Sequence, residues 1–209
     1  MFTYTSRMTT AQPQPSGTAE AARGSNIATD IALIAVFAAV IIALGFLAIP
    51  VGAAGVPIVL QNAAVILAGL VLGGRRGLYA AGIFLLVGLA LPVLAGGRTT
   101  IAAIGGPTVG YLAGYLISPL VAGLIAYRAP FTRNRTATTG VFILAGYLAL
   151  FCQYLLGVFG MMWRAQMNFG TAWAAQIPFL LPDALKTALM IAIAIAVHAA
   201  FPALRRGYK

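Results

Sequence analysis

The sequence predicts an all-α membrane protein with six transmembrane helices and both termini in the cytoplasm. Three observations lead to this prediction. First, 61% of the 209 residues are hydrophobic and only 8% are charged, which is more apolar surface than a soluble domain of this length can bury. Second, the charges are confined to short segments between long uncharged stretches. Third, the basic residues collect on one side of the predicted spans.

The uncharged stretches are long enough for membrane-spanning helices, which need about 20 mostly apolar residues. The predicted spans cover residues 29–49, 61–73, 78–95, 107–127, 137–160 and 181–201. The second span is short, roughly 20 Å of helix, so its flank 55–61 must extend it or line a cavity. Residues 161–180 are interrupted by polar residues, glycine and proline, and are predicted to form an outer loop.

Three regions of unequal length divide the chain. Residues 1–27 are polar and rich in Ser, Thr and Pro, and they lack the apolar core of a signal peptide, so we expect a disordered cytoplasmic tail. Residues 28–203 are expected to form the six-helix membrane domain. Residues 204–209 are expected to form a short basic C-terminus in the cytoplasm.

The basic residues set the orientation, because cytoplasmic loops carry the excess of Lys and Arg. Arg98 and Arg164 lie on the predicted outer side, and Lys186 lies within a span. Every other basic residue lies on the predicted inner side: Arg7, Arg23, Arg75, Arg76, Arg128, Arg133, Arg135, Arg205, Arg206 and Lys209. The net charge of +10 therefore does not indicate nucleic-acid binding, since the charges lie between spans and not along one soluble face.

Asp183 and Lys186 are the strongest candidates for a ligand-binding site. Only three residues of the chain are acidic, and Asp183 stands three residues before Lys186 at the outer end of the sixth span, so both share one helix face. Ionisable side chains within a membrane segment are costly and usually mark a site. A carboxylate beside an ammonium suits a small polar ligand. The alternative is a structural ion pair that fixes the sixth span to a neighbouring helix.

Further candidate binding residues are polar or aromatic and lie near the predicted outer ends of the spans: Gln61, Asn62, Arg98, Thr108, Tyr111, Trp163 and Trp173. The amides offer donors and acceptors, an arginine attracts an anionic solute, and the tryptophans can stack over a bound ring. Each also has a plain alternative: helix capping, helix packing, a solvated loop arginine, or an interfacial aromatic anchor.

A stripe of alanines runs along the first span at a spacing of three or four: Ala28, Ala32, Ala35, Ala39 and Ala43. Small residues let helices approach closely in lipid. The stripe either packs within this protein or docks a separate membrane partner, and the pattern alone does not choose between them.

Several chemistries lack their motifs in this sequence. There is no G-x-x-x-x-G-K-[ST] segment for holding ATP, no H-E-x-x-H and no G-x-S-x-G. The single cysteine, Cys152, excludes an internal disulfide, and His198 has no Cys, Asp or Glu near it in the sequence to complete a metal site. The sequence therefore disfavours an enzyme and indicates no cofactor.

Four motifs occur in a fixed order: VPIVLQNAAVILAGLVLGGRRG, LPVLAGG, GGPTVGYLAGYLIS and LPDALK. Together they resemble the BioY family, the biotin-specific substrate-binding (S) components of energy-coupling factor (ECF) transporters, over about residues 28–202. By this resemblance Asp183, Lys186, Gln61, Thr108 and Tyr111 match residues of the family's motifs. Asn62 departs from the family's pattern, because threonine is more common at its position.

The resemblance implies an S-component-like bundle that binds biotin from outside a bacterial or archaeal cytoplasmic membrane. It implies a separate transmembrane coupling (T) subunit and two ATPases as partners, with Ala35, Ala39 and Ala43 on the docking surface. Asp183 is expected to accept an N–H of the ureido ring, and Lys186 to meet its carbonyl. Lys186 or Arg98 is the candidate for the valerate carboxylate. The outer segment 50–60 is a candidate cover for the site.

The resemblance leaves two other functions to be tested. The first is an S component for a different small vitamin. The second, from another class, is a membrane enzyme or a scaffold that transports nothing, and such a scaffold would not be stabilised by a vitamin.

Overall fold

The computed structural model describes residues 17–49, 58–130 and 134–204. Within these ranges the regular secondary structure is helical, as predicted, apart from one short hairpin that was not predicted. The helices are α1 (Gly17–Gly45), α2 (Gln61–Leu72), α3 (Gly74–Ala90), α4 (Thr100–Gly105), α5 (Val109–Ala126), α6 (Arg135–Arg164), α7 (Phe169–Ala174) and α8 (Ile177–Ala200). Strands β1 (Ala48–Ile49) and β2 (Ile58–Val59) pair antiparallel. The predicted outer segment 50–60 lies largely outside the described residues.

Four of the described helices are long and apolar enough to cross a membrane: α1 from Ile27, α5, α6 and α8. Helices α2 and α3, with 12 and 17 residues, lie where the other two spans were predicted. Every residue of α2 except Asn62 is buried. A helix this short is tolerated at membrane depth because its backbone and its ends are surrounded by protein and not by lipid.

Helix boundaries differ from the predicted ones at three places. Helix α1 begins at Gly17, inside the predicted tail, and α4 lies between the predicted spans 78–95 and 107–127. The predicted loop 161–180 contains the end of α6, all of α7 and the start of α8. Helix α8 starts early because Pro178 stands in its first turn, where a missing N–H costs nothing.

Glycines allow the central helices to approach backbone to backbone. A Cβ on Gly110 of α5 would collide with the Leu156 carbonyl of α6, and one on Gly160 of α6 would collide with the backbone of Gly110. A Cβ on Gly69 of α2 would collide with the Pro119 backbone of α5. Such small-residue contacts replace the hydrophobic driving force that helices lack in lipid.

Buried polar contacts add specific ties between the helices. Gln153 of α6 donates to Ser118 Oγ of α5 at 2.8 Å and to the Asn62 carbonyl of α2 at 3.1 Å. At the opposite end of α2, His198 Nε2 lies 2.9 Å from the Leu70 carbonyl. Since α2 takes part in both contacts, it is the helix around which the others are arranged.

Alanine at Gly160 is expected to lower the free energy of unfolding by about 1–3 kcal/mol, because the added methyl overpacks the contact with α5. Gly140→Ala on the same helix is the matched control, since a Cβ at Gly140 has nothing within 4 Å. Because alanine has the higher helix propensity, Gly140→Ala is expected to be neutral or to stabilise by up to about 1 kcal/mol. Thermal unfolding in detergent measures both, and equal shifts would contradict the packing assignment.

Candidate functional site

A cavity of about 350 Å³ opens among α2, α5, α6 and α8, at the end of the bundle where α2 and α8 begin. This volume suits a small organic molecule. Of the binding residues that the sequence predicts, all but the two tryptophans line this cavity: Gln61, Asn62, Arg98, Thr108, Tyr111, Asp183 and Lys186. Residues more than 120 positions apart in the chain therefore share one wall.

Asp183 and Lys186 form a buried ion pair at the cavity wall. Lys186 Nζ lies 2.5 Å from Asp183 Oδ1, and the side chains are 12% and 7% exposed, respectively. The hydroxyl of Tyr154, on α6, donates to Asp183 Oδ2 at 2.7 Å. Both carboxylate oxygens are thus held, by a cation on one side and a phenol on the other, which fixes the orientation of the carboxylate.

The other two hydrogen bonds of Lys186 go to the start of α2. Its ammonium donates to the Val59 carbonyl at 2.7 Å and to Asn62 Oδ1 at 3.1 Å. With Asp183 as the third acceptor, all three N–H donors of the ammonium are engaged. We refer to Asp183, Lys186, Tyr154 and Asn62 as the Asp183 cluster. It joins α2, α6 and α8.

Gln61 lies at the cavity wall as predicted, and its side-chain amide forms hydrogen bonds with backbone groups of the protein. It is fully buried. Its Nε2 donates to the Ile41 carbonyl at 3.2 Å and to the Val93 carbonyl at 2.8 Å, and its Oε1 accepts from the Ala95 N–H at 3.2 Å. Gln61 therefore fixes the end of α1 and the segment after α3 against the start of α2.

A second polar group lines the cavity at the first turn of α5. Arg98 donates to Thr108 Oγ1 at 3.4 Å and to the Ala95 carbonyl at 3.3 Å. The hydroxyl of Tyr111, one turn along from Thr108, donates to Gln176 Oε1. We refer to Arg98, Thr108, Tyr111 and Gln176 as the Arg98 cluster. It contains one cation and no acid.

The two tryptophans lie outside the cavity, in contrast to the prediction that they stack over a bound ring. Trp163 is 66% exposed, with the guanidinium of Arg164 5.2 Å from its ring centre. Trp173 is stacked on Phe169, with ring centres 6.2 Å apart. Both rings contact other side chains or are exposed, so the aromatic residues of the cavity wall are others, such as Tyr111, Tyr115 and Tyr154.

The alanine stripe of α1 faces away from the rest of the protein. Its predicted docking residues, Ala35, Ala39 and Ala43, are all exposed. Of the two interpretations that the sequence left open, packing of the stripe within this protein is therefore wrong for the described residues. A long apolar face is left on α1 for lipid or a membrane partner.

Among the cavity residues that the sequence did not predict are Gln153, Tyr154 and Gln176. Gln153 and Tyr154 had a usable signal, since a glutamine beside a tyrosine interrupts an otherwise apolar span, and polar side chains in such spans usually face the protein interior. Gln176 had none, because in sequence it lies in a stretch broken by Gly170 and Pro178 that predicts a loop.

Known proteins resemble this chain over most of its length. The BioY family model matches residues 11–203. A protein from Rhodobacter capsulatus called biotin transporter BioY is 38% identical, covering 85% of this chain and 98% of its own. A protein of the same name from Rhizobium etli is 35% identical, covering 84% and 96%. A crystal structure of the S-component for biotin from an ECF-type ABC transporter superposes with a TM-score of 0.73 at 27% identity, covering 84% of this chain and 93% of the other.

Replacing Lys186 by Met is expected to lower the free energy of unfolding by about 3–5 kcal/mol, because the Asp183 carboxylate stays buried without its cation. The double variant Asp183→Asn/Lys186→Met should recover part of this loss, since no unpaired charge remains. Arg164→Met, which alters an exposed cation outside the cavity, serves as the control. Thermal unfolding in detergent distinguishes the cases, and a double variant no more stable than Lys186→Met would show that the pair is not coupled.

Proposed function

Because this chain belongs to the BioY family, we propose that it captures biotin for uptake as the substrate-binding subunit of an ECF-type vitamin transporter. The family consists of transporter components, so the chain is not an enzyme. The observation that supports biotin most directly is the position of the Asp183–Lys186 pair. It lies buried in the wall of a cavity of the right size, in a protein whose relatives are named as biotin transporters.

The chemistry of the cavity wall suits the two ends of biotin. The ureido ring presents two N–H donors and one carbonyl acceptor. Asp183 accepts an N–H, and Lys186, in the same cluster, is a donor for the carbonyl. Such charge-assisted hydrogen bonds contribute about 1.5–3 kcal/mol each. Arg98 is the cation for the valerate carboxylate, and apolar wall residues such as Met161 and Phe179 enclose the thiophane ring and the valerate arm.

The proposed setting is a bacterial or archaeal cytoplasmic membrane, crossed six times within residues 28–203. Residues 1–27 and 204–209 lie in the cytoplasm in this arrangement. The excess of basic residues on that side supports it, although Arg7, Arg133, Arg205, Arg206 and Lys209 lie outside the described residues. In this orientation the cavity opens to the outside, where a vitamin is captured.

The proposed partners are a transmembrane coupling subunit and two ATPases. The sequence has no P-loop of its own, so ATP is hydrolysed elsewhere. The exposed face of α1 that carries Ala35, Ala39 and Ala43 is the proposed docking surface, because small residues permit close contact with a partner helix. Transport then requires the loaded protein to reorient against this partner.

Asp183→Asn is expected to weaken biotin binding by about 10- to 100-fold, the loss of one charge-assisted hydrogen bond. Arg98→Gln should also weaken it, whereas Arg164→Gln should not, since Arg164 bonds the Ile104 carbonyl outside the cavity. Calorimetry on detergent-purified protein measures each affinity.

Desthiobiotin, thiamine and riboflavin serve as comparators in the same titration. Binding of biotin in preference to the other two vitamins supports the proposal. Tight binding of thiamine or riboflavin by the folded wild type, without biotin binding, would instead identify an S component for another vitamin. Binding of none of these would disprove the proposed substrate.

Ala39→Leu is expected to reduce association with the coupling subunit about tenfold, because the larger side chain prevents close helix contact. Biotin binding should be unchanged, since Ala39 is remote from the cavity wall. Ala196→Leu on α8, also at an exposed position, is the control for added bulk on a lipid-facing helix. Co-purification with co-expressed partner subunits gives the readout, and an Ala39→Leu complex as stable as wild type would rule out this docking surface.

A further inference from the structure

Gln176 carries a buried hydrogen-bond donor that the protein does not use. The residue lies in the turn between α7 and α8, is 2% exposed and lines the cavity. Its Oε1 accepts from Tyr111, but its Nε2 has no hydrogen-bond partner among the described residues. Burying an amide N–H without a partner costs free energy. A donor kept in this position beside a cavity is suited to an acceptor that arrives with the ligand.

The surroundings of Gln176 indicate an anionic acceptor. Its partner Tyr111 lies one turn of α5 from Thr108, and Thr108 is bonded to Arg98. The Arg98 cluster therefore contributes both the guanidinium N–H groups and the Gln176 amide to the same cavity, and none of its members is a carboxylate. A cation beside a neutral amide donor is a suitable arrangement for a carboxylate, which has lone pairs for both.

Gln176 and Asp183 are far enough apart along α8 to bind opposite ends of one ligand. Asp183 follows Gln176 by seven residues, two helical turns or about 10 Å along the axis, which also keeps the two on one face. The ureido N–H groups need an acceptor, and Asp183 is the carboxylate in the described cavity wall. A molecule that places its ureido ring at Asp183 reaches Gln176 only with the far end of an extended arm.

We propose that Gln176 is a specificity-determining residue whose side-chain amide donates a hydrogen bond to the valerate carboxylate of biotin, beside Arg98. This rests on the proposed function, because it names a contact of the same ligand in the same cavity. It assigns to the loop before α8 the discrimination between biotin and derivatives in which the carboxylate is blocked.

The test compares biotin with biotin methyl ester, which keeps the ureido ring and loses the negative charge. Gln176→Glu should weaken biotin binding by about 30-fold or more, because it sets a carboxylate against a carboxylate, while the ester's affinity changes by less than about threefold. Gln176→Leu should weaken biotin binding by about 5- to 20-fold and the ester's much less. Loss of the hydrogen bond between Tyr111 and residue 176 changes the affinities for biotin and for the ester equally, so it cancels when the two affinities are compared.

Gln166→Glu is the matched control, because Gln166 lies in the same loop region, is exposed and bonds the Trp163 carbonyl outside the cavity. It should leave both affinities at the wild-type values. Equal losses for biotin and its ester in the Gln176 variants would place Gln176 at the ureido ring and overturn the proposal, as would unchanged binding of both. Failure of the wild type to bind biotin would instead overturn the proposed function itself.

The melting temperature of each variant without ligand shows whether it is folded. Gln176→Asn provides the second arm if Gln176→Glu does not fold, since it keeps the amide and withdraws it by one methylene. Weakened binding of biotin with retained binding of the ester is again the expected result, and the opposite pattern would contradict the proposal.

Discussion

The placement of one buried positive charge determines much of this structure. An ammonium in a low-dielectric environment must be neutralised and have its hydrogen bonds satisfied, or it is too costly to bury. Lys186 meets this requirement with an acid on its own helix and two acceptors at the start of α2. Tyr154 then holds the acid from α6. Because these groups lie on α8, at the start of α2 and on α6, the requirement of a single charge fixes three helices relative to one another.

The short central helix follows from the same arrangement. Helix α2 begins at Gln61, whose amide is used up by backbone groups of the end of α1 and of the segment after α3. The first two residues of this helix, Gln61 and Asn62, line the cavity together with residues of α5, α6 and α8. Glycine contacts such as those of Gly69 and Gly110 bring the backbones of α2, α5 and α6 close together.

The sequence predicted site residues well where the residue type is rare in the spans, and poorly where the residue type is common. Asp183 and Lys186 stand out because charges are rare in the spans, and the structure places both in the cavity wall. The tryptophans were ambiguous, because an aromatic ring suits a ligand, a membrane interface or another aromatic ring equally well. Gln176 was missed because its importance depends on an unpaired atom, which only the fold creates.

Helix boundaries show the same limit. The all-helical class followed from composition, and family motifs supplied the expected bundle. The early start of α8 involves no side-chain cap and has Pro178 in its first turn, whereas α7 depends on a local cap, in which Asn168 accepts from the Thr171 N–H at 2.9 Å. Caps of this kind involve residue types that are equally frequent in loops, so composition alone predicted a loop where the chain continues as helix.

All three N–H donors of the Lys186 ammonium are already engaged, so a hydrogen bond to a ligand must replace an existing one. A ligand carbonyl can accept from Nζ only when the carbonyl of Val59 or the side-chain carbonyl of Asn62 no longer does. The number of bonds at the nitrogen stays constant, so the net gain at this atom is the difference between two similar bonds. Discrimination among ligands then depends on what the released group does next. When that group is the Val59 carbonyl, the ligand and the backbone of strand β2 compete for the same nitrogen of α8.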